Sequence, residues 1–558
     1  MTDTIKIALA QLNPTVGAVS HNLELARTAR ATARAQGADI VVFPELFISG
    51  YPPEDLVMKA AFLDACGDAA QALARDTGDG GPAVLLGCPV MEGGKRFNAV
   101  LALDGGEVQA MRAKHCLPNY GVFDEIRIFD AGPLPDPIQL RGVRLGVPVC
   151  EDIWYPDVCR HLKDRGSELL VSPNGSPFDR TKPGARAKVV ADRVNETGLG
   201  LVYVNQIGGQ DELVFDGTSF VVGPDGTQTH RFADWREEVA TITLHRSGEG
   251  LVPEPGVMEP HETGLAAIWQ AMVLCLRDYV EKNRFPGVLL GLSGGIDSAL
   301  TAAVAVDALG ADRVETVMLP YRYTSSDSLT DAEQCAQMLG VRYSSVPIEP
   351  AVMAFADMLK PAFGNQAPDV AEENIQSRVR GLTLMALSNK FGAMVLTTGN
   401  KSEVSVGYAT LYGDMAGGYN ALKDIYKCQV FALADWRNKN HPDGALGPEG
   451  MVIPERIITK PPTAELREDQ KDEDSLPPYE VLDAILEGLI ENEMSVEEIT
   501  AQGYDFDTVA RVEHLLYIAE YKRRQAAPGV KVSQKQFGRD RRYPIVNGFR
   551  DARRKDKS

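Results

Sequence analysis

Apolar residues in the first 245 positions fall in short runs bounded by turn residues, not in long helical stripes. Residues 5–12, 40–43, 83–87, 99–103, 144–149, 169–172, 201–204 and 218–222 are each predicted as a strand. Residues 22–35, rich in Ala, Leu and Arg, are predicted as a helix. Many strands with few helices predict layered sheets with helical cover. The pattern breaks at 245–264, HRSGEGLVPEPGVMEPHETG, where Gly, Pro and Glu displace any apolar period. That break places a linker at 246–264, between a domain at 1–245 and another at 265–558. In the second domain 288–292, 313–319, 343–348 and 394–397 alternate with helical segments. This is the βαβ rhythm of a doubly wound parallel sheet. Residues 413–419 (GDMAGGY) and 459–479, dense in Pro and acid, are expected to be lids or solvated loops. The charged stretch 550–558 is expected to be a solvated end.

The 558 residues are 44% hydrophobic and 24% charged, which excludes global disorder. The 57 basic residues are outnumbered by 77 acidic ones, for a net charge of −20. A non-specific nucleic-acid partner is therefore not expected. No apolar run reaches the ~18–20 residues of a membrane span, so no membrane partner is expected either. The start, MTDTIKIALA, has no basic segment leading into a long apolar one, and the cytoplasm is the expected location. The eight cysteines include no CxxC pair, which argues against a disulfide framework or a structural zinc.

Three segments of the first domain carry chemistry: 38–51 around Pro44-Glu45, 114–125 (KHCLPNYGVFDE) and 144–154 (RLGVPVCEDIW). Cys150 can attack an amide carbon as a thiolate. Glu45 can take the thiol proton and return it to departing ammonia, and Lys114 can stabilise the oxyanion. Singly, each has a plainer reading: a core thiol, a helix-start carboxylate, a surface lysine. The case rests on the three occurring together. PELFISGYPPEDL, KHCLPNYGVFDE and CEDIW resemble the motif blocks of the nitrilase, or carbon–nitrogen hydrolase, superfamily, and within it the glutamine amidases. The resemblance implies a nitrilase-like αββα sandwich, a catalytic triad of Glu45, Lys114 and Cys150, and a glutamine pocket at Tyr120, Ser176 and Lys182.

The second domain holds VLLGLSGGIDSALTAAVA at 288–305. An apolar strand runs into Ser293-Gly294-Gly295-Ile296-Asp297-Ser298 and then an Ala-rich helix. The glycines let backbone N–H groups converge on an anion, and the helix N-terminus points at the same place. Asp297 would repel phosphate directly, so its sensible task is to hold magnesium. The hexamer resembles the pyrophosphate-binding motif of ATP pyrophosphatases. ENIQSRVRG (373–381), LTTGNKSEVSVG (396–407) and TLYGDMAGGYNALKDIYK (410–427) resemble NAD synthetases among them.

That resemblance implies ATP contacts at Gly291, Ser293, Gly294, Gly295, Asp297, Ser298, Thr398 and Lys427. It implies deamido-NAD contacts at Asn374, Arg378, Glu403, Asp414 and Lys522, and Mg2+ ligands at Asp297 and Glu403. Together the halves resemble the glutamine-dependent NAD synthetase family. Its expected small-molecule substrates are glutamine, ATP (as co-substrate) and deamido-NAD, and its expected form is a homo-oligomer. The alternatives are an amidotransferase for another adenylated acid and a non-catalytic scaffold, which would be expected to lack the nucleophile or the motif acids.

Overall fold

The computed structural model describes residues 4–551 apart from 249, 469, 471 and 475. The tail expected at 550–558 lies, beyond Asp551, outside the described residues, as do positions 1–3. The chain divides into two compact units, Met1–Thr263 and Gly264–Ser558.

The first unit is built on two large sheets. One has seven strands in the order Gly250–Pro253, Glu238–Ser247, Thr4–Gln11, Ile40–Val42, Ala83–Glu92, Lys95–Asp104, Glu107–Ala113. The other has six, in the order Gln228–Arg231, Phe220–Val222, Leu201–Asn205, Leu169–Asn174, Val143–Gly146, Ile138–Leu140. Period-2 alternation turns Ile5, Ile7 and Leu9 of the first sheet against Leu145, Val171 and Val202 of the second. The intervening Ala8 and Ala10 face outward, beneath Ala26, Ala29 and Ala33 of helix Val19–Ala35 and Leu73 of helix Ala60–Asp76. Helices Pro156–Asp164 and Lys182–Thr197 cover the other outer face through Val158, Leu162, Val190 and Val194. Both faces of each sheet are thus buried, which is why the central strands read as unbroken apolar runs. The layers are the expected αββα sandwich.

Gly250–Pro253 lies inside the stretch expected to be linker, yet it pairs antiparallel with Glu238–Ser247. It is the edge strand, where a proline without an N–H is tolerated, and Leu251 is buried in the core between the sheets.

The second unit carries a five-stranded parallel sheet in the order Arg342–Ser345, Val314–Met318, Val288–Gly291, Met394–Thr397, Tyr419–Asn420. The chain builds outward from Val288–Gly291 in one direction, then returns to add Met394–Thr397 on its other side. The topological switch therefore falls between those two strands, at whose carboxyl ends an open parallel sheet binds its ligands. The expected strand at 343–348 is observed at Arg342–Ser345, with helix Glu349–Phe363 beginning after three further residues. Among the described residues no helix is long and apolar enough to cross a membrane.

Candidate active sites

Cys150 sits at the first position of a short 3-10 turn, Cys150–Trp154, with φ +46°, a left-handed conformation unusual for a side chain of this kind. Asp152 holds that turn. Its Oδ2 accepts from Val149 N at 2.9 Å, and its Oδ1 accepts from His115 N and Cys116 N at 3.1 and 2.7 Å. One buried carboxylate thereby ties the thiol's turn to the strand end that carries Lys114.

Glu45 and Lys114 are fully buried and paired, with Lys114 Nζ 2.7 Å from Glu45 Oε1. Asn98 Nδ2 donates to the same oxygen at 2.6 Å, and Gly175 N donates to Glu45 Oε2 at 2.9 Å. The Gly175 N–H beside Cys150 favours the thiolate. Burial, with Glu45 close by, nonetheless holds the Cys150 thiol well above its ordinary pKa, while Lys114 opposes that shift. The thiol is protonated at rest and needs a base; the motif residues Glu45, Lys114 and Cys150 converge to supply one.

Glu125 completes the array and was not singled out in the sequence. Its Oε1 lies 2.9 Å from Lys114 Nζ and accepts from Tyr51 OH at 2.9 Å. Burial pushes its carboxyl up to about 7, against the pull of Lys114. The signal was present, since Glu125 ends the segment KHCLPNYGVFDE, but no periodicity or spacing rule binds it to Lys114.

Of the three residues expected to hold glutamine, Tyr120 is half-exposed and donates to both oxygens of Glu151, at 3.1 and 3.0 Å. Lys182 Nζ lies 4.6 Å over the Trp154 ring. Ser176 is buried, and its Oγ accepts from Arg186 Nε at 3.1 Å. Arg186 also donates to the carbonyls of Ser176 and Pro177 and pairs with buried Asp216, so it fixes the strand-end segment that presents Gly175.

In the second unit a cavity of about 480 Å³ opens over the carboxyl ends of the central strands. It is lined by Gly291, Ser293, Gly295, Asp297, Ser298, Asn374, Thr398, Glu403, Asp414, Lys427 and Lys522. The phosphate turn is preformed: Ser298 Oγ accepts from Ser293 N at 3.2 Å, and Ser293 Oγ accepts from Gly295 N at 3.3 Å. Gly294 lies outside the lining. It has φ +77°, and a Cβ there would stand 2.3 Å from Ser328 O, so a larger residue does not fit.

Arg378 also lies outside, exposed, with Nε donating to Leu411 O at 3.2 Å. Two positions along the same helix, Arg380 turns to the cavity instead, as a 3.6-residue period requires. Lys522 lines the cavity, but its Nζ is engaged by the carbonyls of Gly407 and Ala409 at 2.8 and 2.7 Å. Asp414 accepts from Thr410 N at 2.8 Å, and burial raises its carboxyl to about 6.

Lys427 Nζ lies between Asp297 Oδ2 and Glu403 Oε1, and Asn400 Nδ2 holds the other Asp297 oxygen at 2.8 Å. Two carboxylates aimed at one cation beside a phosphate turn fit Mg2+, which takes one or two protein carboxylates and completes its octahedron with phosphate oxygens and water. Among the described residues no group of three or more His, Cys, Asp or Glu side chains could hold a metal ion.

Both stretches expected to be lids or loops border this cavity. In 413–419, Gly418 N donates to Val395 O at 2.8 Å and Asp414 N to Ser377 Oγ at 3.1 Å, so the segment is pinned to the sheet. In 459–479, Glu465 accepts from the hydroxyls of Ser325 and Ser328 at 2.8 Å, and Leu466 O accepts from Gln376 at 2.9 Å. Asp472, from the same stretch, also lines the cavity and accepts from Tyr479 OH at 2.8 Å.

The carbon-nitrogen hydrolase family matches residues 6–253 and the NAD synthase family residues 268–526. The glutamine-dependent NAD(+) synthetase of Rhodobacter capsulatus is 53% identical over 99% of this chain and 100% of its own. That of Xanthomonas campestris pv. campestris is 48% identical over 98% of both. The solved glutamine-dependent NAD+ synthetase of Acinetobacter baumannii, in complex with ADP, is 42% identical with a TM-score of 0.78, covering 98% of this chain and 99% of that one. The Cytophaga hutchinsonii enzyme, at 23% identity, shares the fold with a TM-score of 0.82 over 98% of each chain. With both family matches in order and relatives this close from end to end, the chain belongs to the glutamine-dependent NAD(+) synthetase family.

Proposed function

We propose that this chain releases ammonia from glutamine in its first unit and uses it, in its second, to convert deamido-NAD to NAD with consumption of ATP. The observation that carries the reading is the buried convergence of Glu45, Lys114 and Cys150 in a chain whose second unit holds the SGGIDS turn. Glu45 takes the thiol proton as sulfur attacks the amide carbon, and Lys114 faces the developing oxyanion. Collapse breaks the C–N bond, and Glu45 returns the proton to the leaving ammonia. Water then hydrolyses the thioester, releasing glutamate and restoring the thiol.

In the cavity the nicotinate carboxylate of deamido-NAD attacks the α-phosphorus of ATP, and pyrophosphate leaves. Ammonia attacks the resulting acyl adenylate, the C–O bond to AMP breaks, and NAD forms. Ser293, Ser298 and the backbone of the turn bind and orient the phosphates, with Gly291, Gly295 and Thr398 beside them. Lys427 brings a cation to the same phosphates. Mg2+ held by Asp297 and Glu403 would supply charge neutralisation on the pyrophosphate. Asn374, Glu403, Asp414 and Lys522 line the space open to the dinucleotide, and Arg378 would reach it only from the rim.

A cytoplasmic homo-oligomer is the form we infer. The oligomer is supported by Leu382 and Met385, apolar side chains exposed one turn apart on helix Val370–Phe391.

The test is product formation from deamido-NAD, Mg-ATP and glutamine, with NAD, AMP and pyrophosphate measured separately. All three are expected in equal amounts. In a Cys150→Ala variant glutamine should fail as donor while ammonium still works. Loss of both donors together would overturn the two-site reading.

A further inference from the structure

Glu403 and Lys427 come from different helices, Lys401–Val406 and Lys427–Lys439, yet their side chains meet at 2.9 Å. The residues beside them fix one helix against the other. The buried Ser402 hydroxyl donates to Asp483 Oδ1, and its oxygen accepts from Lys427 N at 2.8 Å. Asp483 Oδ2 accepts from Cys428 N at 2.8 Å. One carboxylate therefore sits on the first turn of Lys427–Lys439, where orphan N–H groups and the helix dipole favour an anion, and grips the helix that carries Glu403. Asp483 belongs to a third helix, Tyr479–Ile490. Tyr479, one turn earlier on the same face, sets its ring 5.2 Å from Lys427 Nζ and its hydroxyl 3.5 Å from Glu403 Oε1. The third helix thus meets the pair twice, at Tyr479 on the side chains and at Asp483 on the backbone behind them.

We propose that Asp483, acting through Ser402, is a positioning residue for the synthetase reaction: it holds Glu403 and Lys427 at the spacing in which they receive ATP. The proposal rests on the synthetase reading above and adds to it a pair that touches no substrate, since neither Asp483 nor Ser402 lines the cavity. The donor and acceptor pattern requires a carboxylate. In Asp483→Asn the amide NH2 must face either the Cys428 N–H, donor against donor, or the Ser402 oxygen, whose own hydrogen then loses Asp483 as its acceptor. Either arrangement shifts the two helices, and small displacements of groups that bind phosphate weaken binding steeply.

The test measures NAD formation from ammonium, deamido-NAD and Mg-ATP, and separately the Kd for Mg-ATP by calorimetry without deamido-NAD. Asp483→Asn should raise both KM for ATP and that Kd by about tenfold, with kcat changed less. Ser402→Ala should move both constants in the same direction. If Asp483→Asn does not fold, Ser402→Ala decides alone, on the same two constants. In the double variant the rise should be smaller than the product of the two single rises, because both substitutions break one network. A fall in Tm with KM and Kd for ATP unchanged would make the pair structural only and overturn the proposal. So would a double variant whose rise equals the product. Wild type forming no NAD from ammonium would instead overturn the synthetase reading itself.

Discussion

Glu125 Oε1 stands 2.9 Å from Lys114 Nζ, on the same ammonium that Glu45 engages at 2.7 Å. One buried cation thus serves two carboxylates, so with both ionised the array carries a net negative charge before the thiol ionises. Burial raises the Glu125 carboxyl to about 7, so the carboxylate pair keeps a proton that a solvated pair would have lost. A proton held by the pair weakens it as a base. Glutamine hydrolysis should therefore rise with pH along an acid limb displaced upward from the ordinary carboxylate range. Glu125→Gln removes one negative charge and should move that limb to lower pH, with kcat reduced about 100-fold or more. The pH profile of kcat/KM for ammonia release checks this; an unmoved limb would remove Glu125 from the array.

How much of this was legible depended on the reach of the forces involved. The strands around Glu45 and Cys150 and the SGGIDS turn were readable because apolar runs and glycine turns are local signals. Glu125 and Asn98 meet Glu45 only through the sandwich, 80 and 53 residues away along the chain. No period announces such a meeting. The edge strand Gly250–Pro253 was hidden for a related reason: its Gly and Pro signal a loop, and only pairing with Glu238–Ser247 makes it a strand. A motif does not say which way each of its side chains turns: on this helix Arg380 lines the cavity and Arg378 does not.

Gly175 donates its N–H to Glu45 Oε2 beside the nucleophile, and its lack of a side chain matters as much as its donor. A Cβ there would stand 2.7 Å from the Tyr51 ring and 3.2 Å from Glu45 Oε2. Neither neighbour can retreat, since Tyr51 is hydrogen-bonded to Glu125 and Glu45 to Lys114. Gly175→Ala should cost about 1–3 kcal/mol of stability and lower glutamine-dependent NAD formation at least tenfold. Ammonium-dependent formation should stay near wild type. Thermal unfolding and the two donor assays, run side by side, separate these effects.

Lys427 neutralises Asp297 and Glu403 at one point, and replacing it with methionine leaves two part-buried carboxylates facing each other. Breaking such a group from one side costs about 3–5 kcal/mol, so Tm should fall by several degrees in metal-free buffer. MgCl2 should restore more of the Tm in Lys427→Met than it adds to wild type, because the divalent ion takes over the lost charge. An equal response to MgCl2 in both proteins would mean that Asp297 and Glu403 do not form a magnesium site.

Gly294 and Gly295 are neighbours in the phosphate turn, but the structure assigns them different constraints. Gly294 has φ +77°, and a Cβ would lie 2.3 Å from the carbonyl oxygen of Ser328, a backbone atom at the start of helix Ser326–Leu339. Gly295 has φ −92°, and the nearest atom to its Cβ is Ser293 Oγ at 3.3 Å, the end of a short side chain that can turn. Alanine at 294 must move either the turn or the helix, and the turn is the shorter lever. Gly294→Ala should raise KM for ATP about tenfold or more in the ammonium-dependent assay, with a loss of about 1–3 kcal/mol in stability. Gly295→Ala should keep stability within about 1 kcal/mol of wild type, and its KM for ATP should rise less. The contrast is the informative quantity. If the two variants lose ATP binding equally, crowding at the turn's mouth governs, and the packing of Gly294 on Ser328 is not what shapes the phosphate site.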